Sequence, residues 1–369
     1  MIIAVPKETL DSETRVALVP SVVKSLIKAE LEVRIESGAG ESASISDKDF
    51  EEAGAKIVSD KKKLFDEAGV ILKINKPTDE EVKLMKSGTV LICLLWAAQN
   101  KAMVDLLAKQ GVTTLALEAL PRISRAQKMD VLSSMSSIAG YKAVLIGASS
   151  LGKYLPMLMT AAGTIAPSKV LVLGAGVAGL QAIATAKRLG AVVEAFDVRP
   201  AVKEQVESLG ASFVEVPLDE DDTETSGGYA KELSEKAKEK QREVIHERVR
   251  KSDIVITTAL IPGRPAPLLI TTQMVDDMAS GSVIVDLASE QGGNCEVTEP
   301  GKTIVHNKVT VHGPLNLAAT LPIHASQLYA KNITALLLHL IKDGKVEFDF
   351  EEEITKNTTV THDGKNLIG

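Results

Sequence analysis

Short apolar runs alternate with amphipathic stretches along the first third of the chain. Runs rich in β-branched residues predict strands at Ile2–Val5, Glu32–Ile35, Val70–Ile74, Val90–Leu94 and Thr113–Leu117. Helical spacing predicts helices at Ser21–Ala29, Asp47–Ala53 and Asn100–Gln110, the last with Asn100 as its cap and Gly111 as its end. Strands that alternate with helices in this way predict a mostly parallel sheet covered on both faces.

A second alternating set follows a long helical segment, Ser133–Ala148. Its strand candidates are Lys169–Leu173, Val192–Phe196, Phe213–Val216, Asp253–Thr257, Val283–Asp286 and Val309–Val311. Another long helix, Ile323–Ile341, then leads into a charged tail. We therefore expect an α/β protein with two doubly wound parallel-sheet domains, joined by the long helices and separated by a cleft. The first domain is expected to comprise residues 1–132 and 322–369, and the second residues 133–321.

Composition narrows the class of protein. The 369 residues include 45% hydrophobic and 25% charged positions, which is ordinary for a chain that folds into two globular domains. A net charge of −7 argues against a nucleic-acid partner, because phosphate binding needs a surplus of Lys and Arg. Cys93 and Cys295 lie in or beside apolar stretches and are predicted to be reduced core thiols of a cytosolic protein.

Neither a membrane span nor a metal site is expected from the sequence. The longest unbroken apolar run, Val90–Ala98, is too short to cross a bilayer, although docking onto a membrane complex remains open. The first residues lack the basic and apolar regions of a secretory leader. The histidines show no spacing typical of metal ligands; they are His246, His306, His312, His324, His339 and His362.

A glycine pattern lies between the first two strands of the second domain. Gly174, Gly176 and Gly179 follow the apolar strand Lys169–Leu173 and open an Ala-rich helix, in the G-x-G-x-x-G spacing. The first glycine permits the tight turn, the second lets a pyrophosphate approach the backbone, and the third allows close helix–strand packing. This combination predicts a Rossmann-like dinucleotide-binding domain.

Asp197 ends the strand after the glycine helix and is predicted to select the dinucleotide. A carboxylate there accepts hydrogen bonds from the adenosine ribose hydroxyls and repels a 2′-phosphate. Arg199 lies two residues further on, and an arginine near this position sometimes accommodates that phosphate. Because the carboxylate is present, we expect NAD(H) rather than NADP(H).

Several strings resemble one family along essentially the whole chain. They lie at Pro121–Ser134, Met159–Thr164, Gly174–Ala191, Ser226–Glu232, Ile256–Pro267 and Gly292–Cys295. They are similar to the NAD(H)-binding alpha subunit, or domain I, of proton-translocating nicotinamide nucleotide transhydrogenase. The resemblance implies direct hydride transfer between NADH and NADP⁺ held on a partner subunit. It further implies a separate homodimeric subunit on the cytoplasmic side of the inner (plasma) membrane, peripheral to it through NADP(H)-binding and transmembrane partner subunits.

The resemblance also implies roles for individual residues. Gln127 is expected nearest the nicotinamide ring, with Arg122, Asp130 and Ser133 forming a polar network around it. From the local sequence alone, these residues would simply cap a helix and solvate a turn. Other cofactor-binding positions carried over by matching strings are Ile123, Ser124, Val177, Val198, Arg199, Gly228, Tyr229, Gln241 and Leu260.

Alanine dehydrogenase shares this architecture and provides an alternative function. Arg15 and Lys73 match positions that hold substrate in that family, and they are also explained as structural ion-pair partners. The stretch matching its catalytic histidine, Cys93–Asn100, contains no His, and its catalytic Asp is replaced by Glu290. Amino-acid oxidation needs a titratable acid or base, whereas hydride transfer between two nicotinamides moves no proton. A further alternative is an NAD-sensing module without chemistry.

Three segments remain open to two interpretations. Leu218–Gly228 is acidic and polar, which is typical of a solvated loop or, with Tyr229, of a lid over the nucleotide. Lys231–Lys251 carries helical acid–base pairs and predicts a solvated helix. The apolar stretch Ile333–Ile341 is equally suited to a subunit interface and to a core.

Overall fold

The structure, a computed structural model, describes residues 1–216, 235–261 and 264–368. The chain divides into two compact units, one formed by Met1–Met135 with Ala318–Gly369 and the other by Ser136–Leu317. Gly228, Tyr229 and the whole of Leu218–Gly228 lie outside the described residues, as do positions 231–234 of the predicted charged helix.

The first unit begins with alternating strands and helices. The strands are β1 (Ile2–Val5), β2 (Glu32–Glu36), β3 (Lys56–Val58), β4 (Val70–Asn75), β5 (Val90–Leu94) and β6 (Thr113–Ala116). The helices are α1 (Pro20–Lys28), α2 (Asp47–Glu52), α3 (Lys61–Asp66), α4 (Asp79–Leu84) and α5 (Lys101–Gln110). Helices α2 and α4 each begin with a capping box, in which a side chain and the backbone satisfy each other's hydrogen bonds.

The second unit begins within the long helix α6 (Val131–Ser150). Its strands are β7 (Leu158–Thr160), β8 (Gly163–Ile165), β9 (Lys169–Leu173), β10 (Val192–Phe196), β11 (Ser212–Phe213), β12 (Ile254–Thr257), β13 (Val283–Asp286), β14 (Thr303–His306) and β15 (Val309–His312). Its further helices are α7 (Val177–Arg188), α8 (Lys203–Ser208), α9 (Glu235–Arg250) and α10 (Thr272–Asp276).

The chain then completes the first unit. The elements are α11 (Pro322–Leu340), β16 (Ile341–Lys342), β17 (Lys345–Val346), α12 (Glu353–Thr358), β18 (Thr359–His362) and β19 (Lys365–Asn366). In α11 the side chains of Ile333, Leu336 and Leu337 are completely buried, whereas Leu338 is exposed. This helix therefore contributes mainly to the core of the first unit.

Both units contain a doubly wound sheet, which confirms the predicted fold class. Over the described residues, the first sheet has the order β19-β18-β6-β5-β4-β1-β2-β3, and the second has β11-β10-β9-β12-β13-β15-β14. The strands pair in parallel except β18 and β19 in the first sheet and β14 in the second, which run antiparallel to their neighbours. The apolar strands are buried on both faces because helices cover each sheet.

Local differences from the sequence-based expectation occur mainly at edges and short elements. The predicted strand Phe213–Val216 is the two-residue edge strand β11, although Val214 still donates to the Ala195 carbonyl at 2.8 Å. Asn100 stands at the expected start of α5, but its amide donates to the carbonyls of Leu95 and Trp96 and does not cap the helix. Gly111 ends α5 with a φ of +74°, as predicted.

Helix α6 is the one helix among the described residues that is long and apolar enough to cross a membrane, judged by length and composition alone. Core helices of other proteins meet the same criterion. Within the second unit, a Cβ built on Gly140 would lie 2.0 Å from the Ala178 carbonyl oxygen, and one on Gly147 would lie 3.0 Å from Ile254. The helix thus packs tightly against α7 and β12 along this side.

Candidate functional site

The glycine-rich turn joins β9 to α7 at the carboxyl edge of the second sheet. Gly174 has a φ of +102°, which favours glycine, and its N–H donates to the Phe196 carbonyl of β10 at 2.8 Å. A Cβ on Gly179 would lie only 1.9 Å from the Gly174 carbonyl oxygen. These two glycines are therefore required by the tight turn and by the close approach of α7 to the strand.

Gly176 differs from these two because the protein's own packing does not require it. Its φ is −77°, and a Cβ placed there would meet no described atom within 4 Å. Val177, the first residue of α7, is 44% exposed. Among the described residues, the start of the helix is therefore uncovered, and its backbone N–H groups and helix dipole attract phosphate.

The turn lies where the strand order of the sheet reverses. Strand β9 pairs with β10 on one side and β12 on the other, so the loops that follow β9 and β12 diverge around a crevice. Thr258, directly after β12, donates from its hydroxyl to the Gly174 carbonyl at 3.1 Å. Leu260, two residues further along, is 43% exposed. This is the location at which doubly wound sheets bind dinucleotides.

Asp197 follows β10 and is tied to the glycine turn. Its Oδ2 accepts a hydrogen bond from the Ala175 N–H at 2.7 Å. Arg199 donates to the same carboxylate from its backbone N–H, Nε and Nη2, each at 2.9 Å. Only 7% of the Asp197 side chain is exposed, against 23% for Arg199. The carboxylate thus lies at the end of β10, as the sequence predicted, and it forms an ion pair with the neighbouring guanidinium.

Gln241 in α9 supplies an unusual polar atom. The residue is 9% exposed, and its Oε1 is buried with no hydrogen-bond partner among the residues that the structure describes. Buried acceptors are normally satisfied, so this oxygen is able to accept a hydrogen bond from a donor outside the described residues. The open side of Gly176 and the fixed Asp197 carboxylate together suit a bound dinucleotide.

In the first unit, two of the candidate nicotinamide residues, Ser124 and Gln127, lie on a 3-10 helix, Ser124–Met129. Ala126 and Met129 are buried, whereas Gln127 is exposed. Asn332 of α11 donates from Nδ2 to the Lys128 carbonyl at 2.9 Å. The segment is therefore anchored on one side while Gln127 projects to solvent.

Asp130 and Ser133, two members of the predicted polar network, are hydrogen-bonded to each other. The Asp130 carboxylate accepts hydrogen bonds from the Ser133 backbone N–H at 2.9 Å and from the Ser133 hydroxyl at 2.6 Å. This contact caps the start of α6, which is the structural role that the local sequence suggests. Arg122 and Ser124 are exposed, and Ile123 is half-buried just before the 3-10 helix.

Arg15 and Lys73 are enclosed in a buried charge cluster of the first unit. The Arg15 guanidinium donates to both oxygens of Glu13, at 2.7 and 2.6 Å. The Lys73 ammonium lies 3.3 Å from Glu81 and 3.7 Å from Glu8. At most 5% of any of these five side chains is exposed. Both cations are therefore paired with the protein's own carboxylates. No sequence pattern predicts the three glutamates of this cluster.

Burial and ion pairing act in opposite directions on these carboxyl groups. Burial raises the pKa of Glu8 above its ordinary value, despite the charge of Lys73. Burial alone would also raise the pKa of Glu13, but the hydrogen bonds and charge of Arg15 lower it overall. Likewise, Lys73 and Lys61 overcome the effect of burial and lower the pKa of Glu81.

Two further expectations concern acid–base and metal chemistry. Glu290, at the position of the dehydrogenase aspartate, is exposed, and its Oε1 accepts a hydrogen bond from the Asn316 N–H at 2.6 Å. No group of three His, Cys, Asp or Glu residues within the described ranges is arranged to hold a metal ion. Cys93 and Cys295 are free, buried thiols, as predicted.

Comparisons with known proteins cover the whole chain. Residues 4–139 match the family model "Alanine dehydrogenase/PNT, N-terminal domain", and residues 143–368 match "Alanine dehydrogenase/PNT, C-terminal domain". The first part of NAD(P) transhydrogenase subunit alpha from Rhodospirillum rubrum is 50% identical over 372 residues, covering 99% of this chain and 97% of that one. The crystal structure of transhydrogenase from Sinorhizobium meliloti is 43% identical with a TM-score of 0.87, covering 100% of this chain and 99% of that one. The alanine dehydrogenase of Mycolicibacterium smegmatis is 31% identical over 377 residues, covering 100% of this chain and 95% of that one.

Proposed function

This chain belongs to the alanine dehydrogenase/PNT family, and we propose that it is the NAD(H)-binding subunit of a proton-translocating NAD(P) transhydrogenase. In this role it passes hydride directly between its own NAD(H) and NADP(H) held on a partner subunit. The observation that carries the proposal is the dinucleotide crevice around Gly174 and Asp197, in a chain that is 50% identical to a transhydrogenase alpha subunit. Proton translocation then belongs to the complete membrane assembly.

The second unit would hold the adenosine and pyrophosphate parts of NAD(H). The first turn of α7, open at Gly176, would receive the pyrophosphate. Asp197 would accept the ribose hydroxyls, with Val198 and Arg199 beside it, and a 2′-phosphate would meet repulsion from the carboxylate. The orphaned Oε1 of Gln241 would gain a donor. Leu260, in the loop after β12, is proposed to lie beneath the nicotinamide, and Gly228 and Tyr229 complete the proposed binding set.

The residues before α6 are proposed to orient the nicotinamide. A bound nicotinamide supplies the chemistry, because its C4 atom gives or accepts a hydride. Gln127 is proposed to contact the ring, together with Ile123 and Ser124. Arg122 would bind the amide or ribose, while Asp130 and Ser133 hold the segment in position. These side chains contribute orientation and exclusion of water, since the transfer needs no proton donor.

The assembly and location follow from the same proposal. We expect a homodimer that docks on NADP(H)-binding and transmembrane subunits, on the cytoplasmic side of the inner (plasma) membrane. The net charge of −7 and the absence of a basic surplus support a protein partner over nucleic acid.

Alanine dehydrogenase activity is the second candidate, and the retention of Arg15 and Lys73 favours it. The contacts of these residues weigh against it, because Glu13 engages the guanidinium and Glu8 and Glu81 surround the ammonium. A carboxylate substrate would have to displace these pairs from a buried site. In addition, Cys93–Asn100 contains no histidine to act as the acid or base.

Reconstitution tests the proposal. The purified chain is mixed with NADH and with an NADP⁺-loaded, NADP(H)-binding transhydrogenase subunit, and reduction of NADP⁺ is followed. A parallel reaction contains pyruvate and ammonia without the partner. We expect reduction of NADP⁺ only in the first reaction. NADH oxidation in the second alone would establish the dehydrogenase alternative, and tight NADH binding without turnover in either would indicate a sensing module.

A further inference from the structure

A fully buried carboxylate lies at the carboxyl end of β13, next to the proposed nucleotide crevice. Asp286 is 0% exposed, and both of its oxygens accept hydrogen bonds. Its Oδ1 accepts from the Thr257 hydroxyl at 2.8 Å and from the Ala288 N–H at 3.0 Å. Its Oδ2 accepts from the backbone N–H groups of Asn294 and Cys295, at 2.8 and 3.0 Å, and from the Thr298 hydroxyl at 2.8 Å. The four donors that belong to segment 288–298 hold this segment against the end of β13.

Asn294, held by this carboxylate through its N–H, directs its own side chain at another loop. Its Oδ1 accepts a hydrogen bond from the Ala259 N–H at 3.0 Å, and its Nδ2 donates to the Ala259 carbonyl at 2.8 Å. The same Nδ2 donates to the Pro267 carbonyl at 2.8 Å. The amide thus engages both backbone groups of Ala259, as a neighbouring strand would, and it does so with no solvent exposure.

Ala259 belongs to the loop that follows β12 and borders the glycine turn. Thr258 before it donates to the Gly174 carbonyl, and the Ala259 nitrogen lies 3.3 Å from the position of a Cβ on Gly174. Leu260 after it is exposed and belongs to the proposed nicotinamide-binding set. A displacement of Ala259 would therefore move Leu260 relative to the turn that receives the pyrophosphate.

We infer that Asn294 is a positioning residue for hydride transfer, which sets the place of Leu260 by holding Ala259 and is itself held by Asp286. The inference rests on the proposed function. Asn294 contacts no reacting atom in this role; it acts through the loop. The glycine turn and Asp197 bind the rest of the dinucleotide. A displacement of Leu260 therefore lowers the rate of hydride transfer more than it lowers the affinity for NADH.

The test compares Asn294→Asp and Asn294→Ala with a control at the opposite end of the same two strands. Asn294→Asp keeps the size and one acceptor, but it places an oxygen against the Ala259 and Pro267 carbonyls. The control, Ser282→Ala, removes a buried hydroxyl that donates to the Ser252 carbonyl at 3.3 Å. NADH affinity, the rate of hydride transfer in the reconstituted system and the exchange of the Ala259 amide hydrogen are measured below the melting temperature of each variant.

We expect Asn294→Asp to slow hydride transfer by about 10- to 100-fold, the size of effect that a displacement of about 1 Å produces. Its NADH dissociation constant should change by less than about threefold. Amide exchange at Ala259 should accelerate in both Asn294 variants and remain unchanged in Ser282→Ala. Combination with Leu260→Ala should be less than additive, because both changes act on one contact.

Unchanged transfer and unchanged Ala259 exchange in Asn294→Asp would overturn the inference. If Asn294→Ala does not fold, the measurements on Asn294→Asp alone test the inference. Failure of the unmodified protein to transfer hydride would instead contradict the proposed function. In that case the exchange measurement on the free protein still decides whether Asn294 holds the loop.

Discussion

The guanidinium of Arg199 closes on the carboxylate of Asp197, with Nε 2.9 Å from Oδ1 and Nη2 2.9 Å from Oδ2. The pair lies at the end of β10, where a dinucleotide-binding sheet places the residue that recognises the adenosine ribose. Arg199 therefore does not present an unpaired positive charge to a 2′-phosphate. The ion pair supports selection of NAD(H), because the carboxylate remains in place and the arginine is engaged by it.

Replacement of Asp197 by asparagine tests this relationship. Hydrogen bonds to a charged acceptor contribute about 1.5–3 kcal/mol, so the NADH dissociation constant should rise by about 10- to 100-fold. Discrimination against NADPH should weaken at the same time, since Arg199 loses its counter-ion. Glu194→Gln is the control, because it removes the 3.0 Å ion pair with Arg248 from the same strand. Calorimetric titration that finds unchanged NADH affinity in Asp197→Asn would refute the assigned role.

Substitutions at Gly179 and Gly176 distinguish an effect on the stability of the fold from an effect on NADH binding. In Gly179→Ala the new Cβ would lie 1.9 Å from the Gly174 carbonyl oxygen, so we expect destabilisation by about 3 kcal/mol or more. In Gly176→Ala the Cβ meets no described atom within 4 Å, so stability should be preserved while NADH affinity falls. Urea unfolding and NADH titration measure the two effects. Equal loss of stability in both variants would show that Gly176 is also required for packing.

Replacement of Lys73, in the buried charge cluster of the first unit, tests whether this residue has a structural or a substrate-binding role. Lys73→Met leaves Glu8 without its lysine partner, although Lys61 still lies 2.8 Å from Glu81. Breaking a buried ion pair in this way should destabilise the first unit by about 3–5 kcal/mol. Lys83→Met, which removes an exposed partner of Glu80, is the control and should have little effect. The dehydrogenase alternative makes a different prediction. The unmodified protein would oxidise NADH with pyruvate, and a stably folded Lys73→Met variant would lack this activity.

Gln127 is expected to act on the transfer step. Gln127→Ala should slow hydride transfer by about tenfold or more while NADH affinity changes little, because the proposed role of this side chain is to orient the nicotinamide ring for the transfer step. Lys128→Ala is the matched control on the same 3-10 helix, since its backbone carbonyl still accepts from Asn332. Stopped-flow measurement of single turnovers distinguishes the two. Equal rates for both variants would remove Gln127 from the site.

The sequence was most informative where strands are buried on both faces. β9, β12 and β13 each contain a continuous apolar run, and this hydrophobicity follows directly from their position inside a parallel sheet. The exposed edge strand β3 carried no such run and was missed. Helix α4 was missed as well, although Thr78 and Glu81 form a capping box that is recognisable in sequence. Periodicity alone is weak for helices of six residues.

The residues of the candidate site were also predictable only in part. The glycine spacing and Asp197 were predictable, because a local motif specifies both the turn and its ligand. The cluster of Glu8, Glu13 and Glu81 was not, since burial of charge depends on partners distant in sequence. The same holds for Asn294, whose partner Ala259 is 35 residues away. Only the folded sheet brings the ends of β12 and β13 together.

Isotope tracing tests direct hydride transfer most immediately. NADH deuterated at the transferring C4 position is mixed with the protein and an NADP⁺-loaded partner subunit in ordinary water, and the NADPH formed is analysed by mass spectrometry. Direct transfer requires that the deuterium appear in NADPH, because no proton from water takes part. NADPH that carries solvent hydrogen in place of the label, or no NADPH at all, would contradict it.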